Sequence, residues 1–120
     1  MKKNFKYLVA LILTIFSFNN IFAQNFVSES QARIVGINFI SSNISKSRPD
    51  LRLVHIETDD NNEANLYIFN IDEGGFVIVS ASRNVKPILA YSFESEFNDD
   101  SLGNAEYFIN NYNRDIEYAK

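Results

Sequence analysis

The amino-acid sequence predicts an α+β domain: a four-stranded antiparallel sheet with an N-terminal and a C-terminal helix packed on one face. Two observations support this prediction. In residues 68–81 (IFNIDEGGFVIVSA), two apolar runs meet at a polar turn closed by glycine, which is typical of a β-hairpin. Apolar residues also recur with helical spacing in one segment before the strands and in another after them.

The chain begins with a pattern typical of a secretory signal peptide. Three lysines lie among the first six residues, an apolar stretch follows at residues 8–18, and Ala23 offers a small side chain before the expected cleavage site. The apolar stretch is shorter than the ~20 residues that a membrane-spanning helix needs. We therefore expect residues 1–23 to be a cleaved signal peptide and residues 24–120 to be a single mature domain, exported to the periplasm or the cell exterior.

Charge and composition exclude several classes of function. After removal of the three leader lysines, eight basic residues face fifteen acidic ones, so the mature domain carries a net charge of about −7. An acidic surface argues against binding to nucleic acid or to anionic lipid, both of which require basic patches. The chain has no cysteine, which excludes a disulfide framework, a thiol nucleophile and a thiolate metal site.

The first helix of the mature domain is predicted from its capping signal. Ser28 is followed three residues later by Gln31, the spacing of a capping box. Ala32, Val35 and Phe39 then recur at helical intervals, so the helix should run for about three turns and end near residues 41–45.

Four short strands should follow, at residues 51–58, 66–71, 76–81 and 88–92. The second and third are joined by the turn Asp72–Gly75, in which glycine supplies a positive φ. Alternation along the third strand divides its side chains between two faces of the sheet. Neither face carries a charge, so we expect both to be buried: Phe76, Ile78 and Ser80 on one, and Val77, Val79 and Ala81 on the other.

The C-terminal helix is predicted from a long apolar stripe with polar residues opposite it. The position immediately before the stripe is Asn104, and asparagine is among the best helix N-caps. The stripe consists of Ala105, Phe108, Ile109, Tyr112, Ile116 and Ala119.

No catalytic or metal-binding pattern emerges from the residues. His55 is the only histidine and lies within an apolar strand, which favours a partly exposed structural residue over a base or a ligand. The doublets Asp59–Asp60 and Asp99–Asp100 lack an EF-hand context and are interpreted as solvated turn acids. Gly74 and Gly75 lead into a strand and not into a phosphate-binding helix. The sequence therefore predicts a protein that is not an enzyme and has no cofactor and no metal.

Residues 66–97 (LYIFNIDEGGFVIVSASRNVKPILAYSFESEF) resemble the prodomain of streptopain-type cysteine proteases, a family that also includes free-standing Spi-type protease inhibitors. The matching features are an aromatic-rich strand ending in Phe69–Asn70, the GGFVIVS block at residues 74–80 and the PILAYS block at residues 87–92. The upstream helix containing Phe39 and the aromatic helix after Phe97 extend the resemblance over essentially the whole mature chain.

The resemblance implies a small module that packs on a papain-like protease and blocks it without a covalent step. In this family, an asparagine just before the C-terminal helix reaches the protease cleft and helps to displace the catalytic histidine. The matching position is Asn104, so the resemblance implies that Ser101, Leu102, Gly103 and Asn104 contact the protease. The implied partner is a streptopain-like cysteine protease, with a monomeric inhibitor when free and no membrane attachment after signal cleavage.

One departure from the zymogens leaves alternatives open. A zymogen continues into a protease domain, whereas this sequence stops at Lys120, which favours a free-standing inhibitor. The alternatives are an orphan prodomain left from a split zymogen and a non-inhibitory envelope binding module. A protease reading frame directly downstream would favour the first alternative, and a lack of inhibition of neighbouring proteases would favour the second.

Overall fold

The computed structural model of the protein describes residues 4–9, 25–44 and 48–120. Most of the predicted signal peptide, including its cleavage site, lies outside the described residues, as does part of the loop that follows the first helix. Residues 4–9 are helical. Of the helices within these ranges, none has the length and apolarity to span a bilayer. The remaining elements, in chain order, are α1 (Glu29–Asn43), β1 (Leu51–Thr58), β2 (Ala64–Ile71), β3 (Phe76–Ser80), β4 (Ile88–Ser92) and α2 (Asp99–Ala119).

The four strands form one antiparallel sheet in the order β1-β2-β3-β4, so the predicted α+β class is confirmed. Each strand pairs with the next along the chain, because short polar turns join them. The capping box of α1 is confirmed as well: the Gln31 amide donates to Ser28 Oγ at 3.3 Å, and the Ser28 amide donates to Gln31 Oε1 at 3.1 Å.

The two helices cover opposite faces of the sheet, which corrects the prediction that they share one face. α1 packs on the face that carries Phe69 and Val77, whereas α2 packs on the face that carries Ile68 and Ile78. Both faces of β3 are buried, as expected. The reason is that β2 and β3 have apolar residues at consecutive positions, so each strand presents an apolar surface in both directions. Each of these surfaces needs a helix to exclude water from it.

Helix α1 lies close against the sheet because Gly36 has no side chain. A Cβ at this buried position would lie 2.9 Å from Leu51 Cδ1 and 3.3 Å from Val77 Cγ1. Beside it, Arg33 donates to the Leu51 carbonyl oxygen, and its guanidinium carbon lies 5.1 Å from the centre of the Phe69 ring. These contacts attach α1 to β1 and β2.

Helix α2 is attached to the sheet at its C-terminal end by polar contacts. Lys120 Nζ donates to Asp59 Oδ2 at 2.7 Å and to Glu117 Oε1 at 3.0 Å, and Asn65 Nδ2 donates to the same Glu117 oxygen at 2.9 Å. The hydrogen bonds from Asn65 and Lys120 lower the pKa of Glu117, and the one from Lys120 lowers the pKa of Asp59. Asp59 lies at the turn after β1, as predicted, but its side chain is only 9% exposed and is held by Lys120, so it is not the solvated acid expected. Asp99 and Asp100, also predicted as turn acids, lie instead in the first turn of α2.

Helix α2 begins earlier than the sequence predicted. Its N-cap is Asn98, whose Oδ1 accepts from the Ser101 amide at 2.9 Å. Asn104, the predicted cap, lies in the second turn of the helix. Gly103 has low helix propensity and lies between the cap at Asn98 and the apolar stripe. For this reason the first turn of the helix was not predicted from the sequence.

The hairpin turn between β2 and β3 depends on two glycines with positive φ. Gly74 and Gly75 both have a φ of 104°, so the predicted turn geometry is confirmed. A Cβ on Gly75 would lie 2.2 Å from the Ser92 carbonyl oxygen and 3.0 Å from Phe93 Cα, whereas a Cβ on Gly74 would have no neighbour within 4 Å. Gly75 is therefore required because the backbone that leaves β4 passes directly against the turn.

We predict that Gly75→Ala destabilises the protein by about 2–4 kcal/mol, because it combines an unfavourable φ with a clash against backbone. Gly74→Ala is the matched control: it has the same φ but no clash, and should cost only about 1 kcal/mol. Urea unfolding of both variants measures the difference. Equal losses would show that the close approach of β4 does not constrain Gly75.

A second prediction concerns the start of α2. Asn98→Ala should lower the free energy of unfolding by about 1 kcal/mol through loss of the cap. Asn104→Ala should leave it unchanged or raise it by up to about 0.7 kcal/mol, because alanine is the better residue inside a helix. Thermal or urea unfolding of the two variants tests this contrast, and a larger loss for Asn104→Ala would contradict the assigned helix start.

Candidate functional site

The four residues that the family resemblance singles out lie in the first two turns of α2 and differ in their burial. Ser101 is half-buried, and its hydroxyl donates to Asn98 Oδ1 at 3.0 Å. Leu102 is also half-buried and packs on the core beneath α2. Gly103 and Asn104 are exposed. The structure therefore presents the Asn104 amide to solvent on a regular helix, and not at a flexible junction.

The start of α2 is held in place by a buried amide on β2. Asn70 is 4% exposed; its Nδ2 donates to the Phe97 carbonyl oxygen at 2.9 Å, and its Oδ1 accepts from the Phe97 amide at 2.8 Å. The Phe97 ring packs edge-on against Phe76, with ring centres 5.4 Å apart. Since Phe97 directly precedes the N-cap, these contacts position the whole first turn of α2.

Asn70 is a positioning residue that the sequence analysis did not identify. In the sequence, Asn70 was noted only as the end of the aromatic-rich strand that resembles the family. The available signal was the presence of an amide within the otherwise apolar run IFNI. A buried amide without partners is costly, so an asparagine at such a position indicates that a backbone segment must supply its hydrogen bonds.

An open cavity of about 280 Å³ lies beside the start of α2. His55 borders it and is half-exposed, as predicted, with Nε2 2.7 Å from Glu57 Oε2 on the same strand. Within residues 4–9, 25–44 and 48–120, no group of three or more potential ligands is arranged to hold a metal ion. The cavity is bordered by Arg52, Val54, His55, Asn70, Glu96, Phe97, Asn98 and Leu102.

The outer side of α2 carries an aromatic pair, Tyr107 and Phe108, that the sequence analysis did not foresee. Tyr107 is 72% exposed and Phe108 is 59% exposed, although Phe108 was predicted to belong to the buried stripe. The physical reason is that Ile109 and Ile116 already fill the groove over the sheet, at 3% and 1% exposure. A residue one position away points about 100° around the helix, so Phe108 lies outside that groove.

Comparison with known proteins places this geometry in a family. A family model described as "Spi protease inhibitor" matches residues 24–116, a range that includes α1, all four strands and most of α2. Streptopain of Streptococcus pyogenes is 32% identical to this chain over 110 residues, which cover 85% of this chain and 28% of streptopain. The streptopain of serotype M1 matches with the same identity and coverage.

The chain thus spans about 28% of the length of the curated relatives that it matches. The match to the family model, in contrast, covers well over half of this chain. On that ground, the chain belongs to the Spi protease inhibitor family.

Proposed function

We propose that this protein is exported and inhibits a streptopain-like cysteine protease by reversible occlusion of its active-site cleft. The observation that best supports the proposal is the family match over residues 24–116, which is nearly the whole predicted mature domain. The chain has no cysteine, so the inhibition would involve no disulfide exchange and no thiol chemistry from this side. The inhibitor would act as a monomer when free, with residues 1–23 removed as a signal peptide.

Asn104 is the residue that would enter the cleft. Its amide offers two donors and one acceptor, a set that suits a catalytic histidine and the backbone groups around it. The side chain is exposed on the second turn of α2, and the double hydrogen bond between Asn70 and Phe97 holds the start of that helix. A side chain presented on a rigid element loses little backbone entropy on binding, which favours affinity. Ser101, Leu102 and Gly103 would contribute the surface around it.

An inhibitor that acts in trans has to obtain its affinity from the interface alone. In a zymogen, the tether gives the prodomain an effective concentration that can reach the millimolar range. A free protein also loses several kcal/mol of translational and rotational freedom on association. Residues beyond Asn104 should therefore contribute to binding.

A second candidate function is that of a prodomain separated from its protease. It is favoured by the coverage of the relatives, since the matched segment is only 28% of streptopain. Both candidates involve binding to the same class of protease. They differ in their effect on refolding of the protease. A separated prodomain would raise the yield of active protease when it is present during refolding. An inhibitor would only lower the activity of the folded enzyme.

We predict that Asn104→Ala weakens inhibition of mature streptopain at least about tenfold, the effect expected for one well-placed interface residue. The inhibition constant is measured from residual protease activity at increasing concentrations of the purified protein. Asn98→Ala is the matched control: it removes an amide six residues away and weakens the fold. It should nevertheless change the inhibition constant by less than about threefold at a temperature where both variants are folded.

Two outcomes would contradict these proposals separately. If the unaltered protein leaves streptopain fully active, the inhibitor function is wrong. If the unaltered protein inhibits and Asn104→Ala inhibits equally well, the function stands, but Asn104 has no part in it.

A further inference from the structure

We propose that the aromatic pair, Tyr107 and Phe108, is the main docking anchor of this protein and binds an apolar, uncharged surface at the rim of the protease cleft. This inference rests on the proposed function and extends it from the residue that enters the cleft to the residues that hold the complex together. The family match and the resemblance assign no role to either side chain.

The position of the helix on the sheet explains why these two residues face outward, but packing does not require aromatic rings at either position. Tyr107 and Phe108 are 72% and 59% exposed, with ring centres 5.6 Å apart and ring planes at 79°. Phenylalanine has no polar atom that gains from contact with water, and surface that exposes large aromatic rings side by side is typical of a binding site. The edge-to-face contact also restricts both rings before binding, so less side-chain entropy is lost when they dock.

The positions one helical turn away from the pair are uncharged, although Glu106 directly precedes Tyr107 and Arg114 donates to Asn111 at 3.1 Å. The residues three and four positions away from Tyr107 and Phe108 are their neighbours on the helix surface. None of these is charged, although charged residues make up 22% of the chain. Interface cores are rich in aromatic residues and poor in charges, which is the composition found here. The neighbours are Gly103, Asn104, Ala105, Asn110, Asn111 and Tyr112.

A third exposed aromatic residue on α2, Tyr118, has charged neighbours and can be compared with the pair. Tyr118 is 85% exposed, more than either member of the pair. Its neighbours three and four positions earlier are Asp115 and Arg114, both charged. Tyr118 therefore has the environment of an ordinary surface side chain, while Tyr107 and Phe108 have that of an interface core.

The partner that the pair would contact is inferred from the position of the pair relative to Asn104. Tyr107 and Phe108 come three and four residues after Asn104, so they adjoin it on the outer surface of α2, one turn further along the helix. Any protein that receives Asn104 in a cleft meets the pair at the edge of that cleft. In streptopain, about 72% of the length (100 − 28) lies outside the segment that matches this chain. We take that remaining part as the kind of partner that the pair would contact.

The test compares the double variant Tyr107→Ala/Phe108→Ala with Tyr118→Ala. The control removes one exposed ring from the same helix, at a position whose neighbours Arg114 and Asp115 are charged. Against mature streptopain, the double variant should raise the inhibition constant about 10- to 100-fold, and Tyr118→Ala should change it by less than about twofold. Tyr107→Phe, which keeps the ring, should inhibit as well as the unaltered protein. Because both members of the pair are exposed, the unfolding midpoint should be unchanged in all three variants.

The oligomeric state is measured in parallel by light scattering, since a second copy of this chain is the other candidate occupant. Self-association that disappears in the double variant, together with unchanged inhibition, would assign the pair to a dimer and overturn the inference. Equal losses of inhibition in the double variant and in Tyr118→Ala would overturn it as well. If the unaltered protein does not inhibit streptopain, the proposed function fails and this inference fails with it. If the unaltered protein inhibits and the double variant inhibits equally well, only the inference fails.

Discussion

The two hydrogen bonds between the Asn70 amide and the Phe97 backbone are the constraint on which the candidate site depends. They join the end of the central strand β2 to the residue just before the cap of α2, at 2.9 and 2.8 Å. Asn70 could not be buried on β2 without partners for its amide, and Phe97 supplies both of them. The same contacts that satisfy a buried polar group therefore position the start of α2 on the sheet.

The second constraint is the apolar character of the sheet in both directions. Because β2 and β3 bury both of their faces, one helix is needed on each side, and neither helix covers the other. Helix α2 consequently has a narrow buried stripe against the sheet and a broad outer surface. Asn104, Tyr107 and Phe108 all lie on the exposed part of the helix, so the side chains with the strongest potential for binding belong to one continuous surface.

This arrangement suits the function proposed above, in which the protein occupies a surface of its partner. The Asn104 amide can satisfy polar groups in a cleft, and the aromatic pair next to it can bury apolar area at the rim. In the proposed complex these contributions would be complementary: directional hydrogen bonds would determine the orientation, while burial of the aromatic rings would contribute most of the affinity. The inhibitor proposed above would need both, because binding in trans lacks the high effective concentration that a tether gives.

The sequence by itself determined the elements whose signals are local. The capping box at Ser28, the four strands and the glycine turn at Gly75 were all predicted near their observed positions, because each depends on residues a few positions apart. Tertiary structure alone decided two further features: the opposite placement of the helices and the exposure of Phe108. The start of α2 had a local signal in the Asn98 cap, which the sequence analysis assigned instead to Asn104. Helical spacing shows that a stripe is apolar, but which edge of the stripe is buried depends on how the helix lies on the sheet. That position is determined by contacts between residues far apart in the chain, namely Asn70 with Phe97 at the start of the helix and Asn65 with Glu117 near its end, 27 and 52 positions apart.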